Sequence, residues 1–199
     1  MSEEVIVKYC SPTLAGIKTG SLFSCSYNSK KEVCEFLREL NISLRHKGVR
    51  FMPLRFKNKK VLIYAYRPSR LLPDVQGKEA DELLTQRGYC TQNCGSCLAR
   101  LMKRLGESDE FPHEIGLFLG YPAVDVRGFI RHGECKCTGL WKVYESDVPQ
   151  AQRTFARCRH CTKAYLQRNR EGWDLSRLTI RPGQFSYREA ERLERKETT

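Results

Sequence analysis

At 199 residues the chain is long enough to bury roughly two-thirds of the surface its unfolded form exposes, so it needs no disulfide or metal merely to fold. No stretch reaches the roughly 20 apolar residues of a membrane helix, and the first residues carry Glu3 and Glu4 with only a short apolar run, unlike a secretory leader. The expected setting is therefore cytoplasmic, where ten cysteines serve as thiols or metal ligands rather than disulfides, and a formal charge of +12 favours polyanions as partners.

In chain order, Val5 to Tyr9 is a short β-rich run predicted as a strand, Ser11-Pro12-Thr13 a helical turn, and Ser21 to Tyr27 a second strand. Ser29 then has the character of an N-cap for a helix from Lys30 to about His46, with Val33, Phe36, Leu37 and Leu40 on one face and Gly48 beyond its end. Val49 to Phe56 and Val61 to Tyr66 form a hairpin joined by Lys57-Asn58-Lys59-Lys60, and Pro53 assigns its strand to an edge. From Pro73 onward helices are predicted at Lys78 to Gln86, Cys94 to Leu105, Pro112 to Leu119 and Ala123 to His132. A short strand at Leu140 to Tyr144, a long helix from Pro149 to about Asn169 and a last strand at Leu178 to Ile180 follow. The expected fold is α+β, with a small amino-terminal sheet and β-hairpin packed on helices, then a mainly helical part. The expected organisation is one compact domain over residues 1–180, sheet-rich over 1–72 and cysteine-rich over 73–180, with a charged tail at 181–199.

The spacing of Cys90, Cys94 and Cys97 allows three thiolates to converge on one centre, either zinc or an iron–sulfur cluster. Radical-SAM chemistry uses the same spacing but requires a long βα series after it, which this sequence lacks. Cys135, Cys137, Cys158 and Cys161 form two pairs that could complete a tetrahedral zinc site, one from a turn and one from a helix. His160 falls off the face carrying Cys158 and Cys161 and is the weaker ligand. Against this, Cys158 lies three residues after Phe155 on what reads as a buried stripe, where a thiol behaves as a small hydrophobe. Cys10, Cys25 and Cys34 read as core or near-core thiols.

Leu44 to Arg70 contains no acidic residue and interleaves basic side chains with Phe51, Phe56, Tyr64 and Tyr66. Such a sheet can bind single-stranded nucleic acid through Arg50, Arg55, Lys57, Lys59, Lys60 and Arg67. Alternation equally turns the rings inward and leaves the charges as a solvated face. In the segment Phe111 to Pro122, His113 and Glu114 fall in a helix's first turn, where Glu suits the positive dipole end and His can act as base or ligand. No second His follows four residues later, so the pair is not a zincin motif, and no Walker loop, dinucleotide fingerprint or nucleophile elbow is present. Gly116 and Gly120 are expected to allow close approach of two helices.

Pro112-His113-Glu114-Ile115-Gly116 through Tyr121-Pro122, Asp125 to Phe129, Cys135-Lys136-Cys137, Gly139 and Trp141 to Tyr144, with Cys10 to Lys18 at the amino end, resemble a bacterial family designated domain of unknown function 3793. The resemblance extends to about Ile180 and implies a bacterial cytoplasmic protein with reduced thiols, without implying a reaction. The residues themselves favour a metal-binding or thiol-redox protein. A basic nucleic-acid-binding module and an enzyme using His113, Glu114 or Cys10 are the alternatives.

Overall fold

The computed structural model describes residues 2–107 and 110–182. Its centre is a three-stranded antiparallel sheet in the order β1-β3-β2, built from β1 (Gly20–Ser26), β2 (Arg50–Lys57) and β3 (Lys60–Tyr66). The β2–β3 hairpin turns on Asn58 and Lys59, both left-handed at φ 50 and 55, the pair of conformations that matches the right-handed twist of the flanking strands. Pro53 lies on edge strand β2, where its missing N–H removes no ladder bond from the central strand, and the register shifts by a bulge between Pro53 and Arg55.

Central strand β3 is buried on both faces. Val61, Ile63 and Ala65 enter a core with Phe23 and Phe51, while Leu62 and Tyr64 enter a second core opposite. Burial of each large side chain contributes about 1.5–3 kcal/mol, so the sheet is held chiefly by what covers it. The first face is covered by α1 (Glu3–Leu14), α2 (Lys30–Ser43), α8 (Val148–Arg170) and α9 (Leu175–Leu178). The second face receives α3 (Pro68–Gln76), α4 (Lys78–Thr85), α5 (Cys94–Glu107), α6 (Ile115–Phe118) and α7 (Ala123–Ile130). A two-stranded ribbon, β4 (Cys137–Thr138) with β5 (Lys142–Val143), connects α7 to α8. The fold is α+β, and among the described residues no helix is long and apolar enough to cross a membrane.

Four expectations change. Val5 to Tyr9 belongs to α1 rather than to a strand, because Ile6, Val7, Cys10 and Leu14 recur at helical spacing and are buried in the core that α8 shares. The helix read as Pro112 to Leu119 is the single turn of α6, its start moved from Pro112 to Ile115, while Gly120 at φ 73 and the following Pro122 end it close to where the sequence places its end. Leu178 to Ile180 is not a strand: Leu178 closes α9, capped by the Asp174 side chain accepting from Arg177 N at 2.7 Å. Helix α3, unforeseen, begins with Pro68 at its first turn and tolerates Pro73 inside. The expectations for α2 and its Ser29 cap, the hairpin, and the long helix after Asp147 match the structure. The charged tail, from Gly183 onward, lies outside the described residues.

One side chain ties three distant segments together. Arg67 is 3 % exposed, yet among the described residues its guanidinium has no carboxylate partner. It donates to the carbonyls of Thr13 at 2.6 Å, Leu14 at 2.5 Å, Lys47 at 3.1 Å and Ile180 at 2.8 Å. Burial lowers its pKa to about 10, which leaves it charged at neutral pH, and the charge strengthens each of these bonds.

Candidate functional site

A pocket of about 380 Å³ opens where α6 and α7 meet the loop leading into β5. Its walls are aromatic and aliphatic, with Phe111, Ile115, Leu119, Tyr121, Phe129 and Trp141 the principal surfaces. The Tyr121 and Trp141 rings lie 5.3 Å apart and Trp141 meets Phe155 edge-on at 4.6 Å, so one wall is anchored in the packing beneath it. A Cβ on Gly116 would lie 2.8 Å from Val126 Cγ2, and this close approach of α6 to α7 is why that position is glycine. At Gly120 the requirement is the left-handed backbone, with Thr19 against it, rather than a helix contact.

The polar groups of the pocket fall into two kinds. Asp125, 1 % exposed, is fully engaged: its Oδ1 accepts the backbone N–H groups of Tyr144, Glu145 and Ser146 at 2.8, 2.9 and 3.0 Å, and its Oδ2 accepts Trp141 Nε1 at 2.8 Å. Burial alone would raise this carboxyl, but the Ser146 hydroxyl and the three amides outweigh it and hold the group below its ordinary value. Asp125 therefore fixes the Trp141 wall and the turn into α8. His113 and Lys142, by contrast, are exposed and both approach the Phe129 ring, His113 edge-on at 4.9 Å and the Lys142 ammonium at 5.7 Å from its centre. Among the described residues neither side chain makes a hydrogen bond or ion pair.

Glu114, adjacent to His113 in sequence, points away from the pocket and is 1 % exposed. Its carboxylate accepts the Tyr89 hydroxyl at 2.9 Å and lies 2.5 Å from Arg104 Nε and 3.7 Å from Arg87 Nε. The helix it precedes is a single turn, so its role is a buried ion pair locking α6 against α5, not a charge at a helix end.

The cysteines are spread through the fold. Cys97 is buried and lies 3.1 Å from the Cys90 carbonyl oxygen, burial raising it to about 11, while Cys94 is half-buried and Cys90 exposed. Cys135 is exposed with its sulfur 3.3 Å from the Cys137 carbonyl, and Cys137 packs beside Phe155 near Gln152. Cys158 is buried and Cys161 partly so, raised by burial to about 12; exposed His160 lies off their face, as expected. Cys10 is buried in α1 and its thiol is raised by that burial; Cys25 is half-buried, and Cys34 is exposed rather than near-core. Among the described residues no three His, Cys, Asp or Glu side chains are grouped to hold a metal ion.

The basic stretch divides in the same way. Lys57, Lys59 and Lys60 are exposed at the hairpin tip, while Arg50 is half-buried at the far end of β2, opposite Tyr66. Arg55 donates to the Leu105 carbonyl at 3.1 Å and lies over the Phe111 ring at 5.3 Å. Arg67 is the buried clamp described above and presents no charge at the surface. The rings face inward: Phe51 and Tyr64 are buried, Tyr64 donating its hydroxyl to the Phe118 carbonyl at 2.5 Å.

Sequence reasoning named His113 but not Asp125, Trp141 and Lys142 as partners in one pocket. All of these belong to the strings that carry the family resemblance, a signal that marks their importance without showing that they meet. No curated protein and no solved structure matches the chain. The family model described as "Protein of unknown function (DUF3793)" matches residues 6–179, nearly the whole described chain, and the protein belongs to that family.

Proposed function

We propose that this protein binds a small planar organic acid in the pocket between α6, α7 and β5. The reading rests on the division of polar groups there. The pocket's one carboxylate is consumed by three backbone amides, the Trp141 indole and the Ser146 hydroxyl, and the groups left to meet a ligand are the imidazole of His113 and the ammonium of Lys142. A cavity of about 380 Å³ with aromatic walls and a few convergent polar groups has the size and make-up of small-molecule sites. Its rings favour a flat apolar body, and its rim favours a negative end.

Trp141 provides the assay. The chain's only other tryptophan, Trp173, packs elsewhere, beneath Arg168 and Arg177, so Trp173→Phe leaves Trp141 as the sole indole reporter. Titration with benzoate, naphthoate and their neutral amides should quench Trp141 with a preference for the acids. His113→Ala and Lys142→Ala should each weaken acid binding about tenfold, the loss of one charge-assisted bond. Equal affinity for acid and amide, or no quenching by either, overturns the proposal.

A second reading keeps a metal at Cys90, Cys94 and Cys97. It is favoured by the Cys97 thiol lying 3.1 Å from the Cys90 carbonyl, which gathers the string around the first turn of α5. Elemental analysis and an absorption spectrum of anaerobically purified protein should then show stoichiometric zinc or iron, lost in Cys94→Ser. Substoichiometric metal, with folding unchanged by chelator, removes this reading.

A further inference from the structure

Helix α8 carries a charge pattern that neither the pocket nor the core uses. Six of the chain's 35 Lys and Arg lie on it and none of its 23 Asp and Glu, so this one helix holds half of the formal charge of +12. At about 100° per residue, the buried Ala151, Phe155, Cys158 and Tyr165 cluster on the side that meets the core. Arg153, Arg159, His160, Lys163 and Arg170, all exposed, fall together on the opposite side within an arc of about 120°. With a rise of about 1.5 Å per residue they form a stripe about 25 Å long.

Among the described residues Arg153, Arg159 and Arg170 form no ion pair. Arg157, half-buried at the edge of the stripe, has its Nε buried without a hydrogen-bond partner among the described residues. The acids that bracket the helix in sequence are already engaged. Asp147 accepts the Gln150 N–H at 2.7 Å, and Glu171 accepts the Gln167 amide at 2.9 Å. Like charges aligned in this way repel one another and together attract a polyanion.

The chemistry of the stripe selects among polyanions. A helix that settles into an anionic membrane surface needs large apolar side chains beside its charges. The exposed large hydrophobics among the described residues are Tyr9, Ile42, Met102, Phe111 and Leu140, none of them on α8. Single strands are held by stacking bases on exposed rings. The phenyl and phenol rings of α8, on Phe155 and Tyr165, are buried, and Trp173 beyond it lies against Arg168 and Arg177. A duplex asks only for cations spaced along a rigid rod. The major groove of DNA, about 12 Å wide, admits a helix about 10–12 Å across, whereas that of duplex RNA is too narrow. We infer that α8 is a docking surface for double-stranded DNA, its outer side set in the major groove and its cations on the flanking phosphates, without regard to sequence. The surface is separate from the pocket and does not rest on the small-acid reading.

The test is fluorescence anisotropy of the full chain with a labelled DNA duplex of about two helical turns, at about 50 to 200 mM salt. The logarithm of the binding constant should fall against the logarithm of salt with a slope of about −5, about 0.9 for each of the six cations of α8. The triple variant Arg153→Gln, Arg159→Gln, Arg170→Gln should weaken binding and bring the slope to about −3. All three side chains are exposed, and lysine at the same positions should restore the original slope, which separates lost charge from a damaged helix. Lys57→Gln, Lys59→Gln, Lys60→Gln removes the same charge from the hairpin tip and should leave duplex binding nearly unchanged. No binding at about 50 mM salt, or equal losses in the two glutamine triples, overturns the inference. So does equal affinity for duplex RNA, or an α8 triple that weakens binding of a DNA single strand or of phosphatidylserine vesicles as much as that of the duplex. Each outcome is independent of Trp141 quenching, so the pocket proposal stands or falls separately.

Discussion

Replacing Asp125 should unseat the Trp141 wall and destabilise the whole fold, because one buried carboxylate satisfies three amides, the Trp141 indole and the Ser146 hydroxyl there. In Asp125→Ala the amides of Tyr144, Glu145 and Ser146 and the Trp141 indole lose their acceptor together. Removing one partner of a buried charged network typically costs about 3–5 kcal/mol. For a chain of this size that corresponds to a fall in melting temperature of about 10 °C. Asp125→Asn keeps one carbonyl oxygen for the three amides but turns an NH₂ toward Trp141 Nε1, a donor facing a donor, so its cost should be about 2–3 kcal/mol. The pH dependence has a definite sign. The folded carboxyl is held below its unfolded value, so its stabilisation is complete above about pH 4 and is lost as pH falls through the folded pKa. Urea unfolding followed by Trp141 emission in the Trp173→Phe background, from pH 7 down to 3, measures both effects. The gap between wild type and Asp125→Ala should narrow as the solution becomes acid. A gap below about 1 kcal/mol at pH 7, or one that does not change with pH, would show that Asp125 does not hold this site together.

Gly139→Ala should destabilise by about 1–3 kcal/mol, since a Cβ there would overlap the Phe155 ring that backs Trp141; an unchanged urea midpoint would refute that packing. At the hairpin, neutralising Lys57, Lys59 and Lys60 together should weaken any binding of single-stranded nucleic acid alike for all sequences, with a shallower salt dependence, as read by fluorescence anisotropy. Salt-insensitive binding, or none at low salt, would remove the basic face as an interaction surface.

The elements legible in the sequence are those with local chemical markers. Ser29 announces α2, Asn58-Lys59 with its basic neighbours announces the hairpin, and Pro149 with the spacing of Phe155, Cys158 and Tyr165 announces α8. The failures share a cause. A five-residue apolar run such as Val5 to Tyr9 has no period of its own, and its state is decided by α8, which arrives about 140 residues later. Burial was similarly invisible in the basic stretch, where Arg67 and Lys57 look alike in sequence but are opposites in the fold. At the site, cysteine spacing drew attention because ligand spacing is a local pattern. The pocket joins residues 22, 113, 129 and 142, and its logic depends on which carboxylate is already occupied, a property only the folded chain has.

The Arg67 clamp has a consequence for the order of events during folding. Its bonds to Thr13 and Leu14 span 54 and 53 positions, but the bond to Ile180 spans 113 and draws on nearly the last described residue. Closing so large a loop is slow and is rewarded only once the sheet and α8 are already in place. Interactions made after the transition state govern escape from the native state rather than entry into it. Arg67 therefore acts as a latch: Arg67→Met should leave the refolding rate nearly unchanged and hasten unfolding, and during synthesis the sheet must wait, unlatched, until the carboxyl-terminal segment leaves the ribosome.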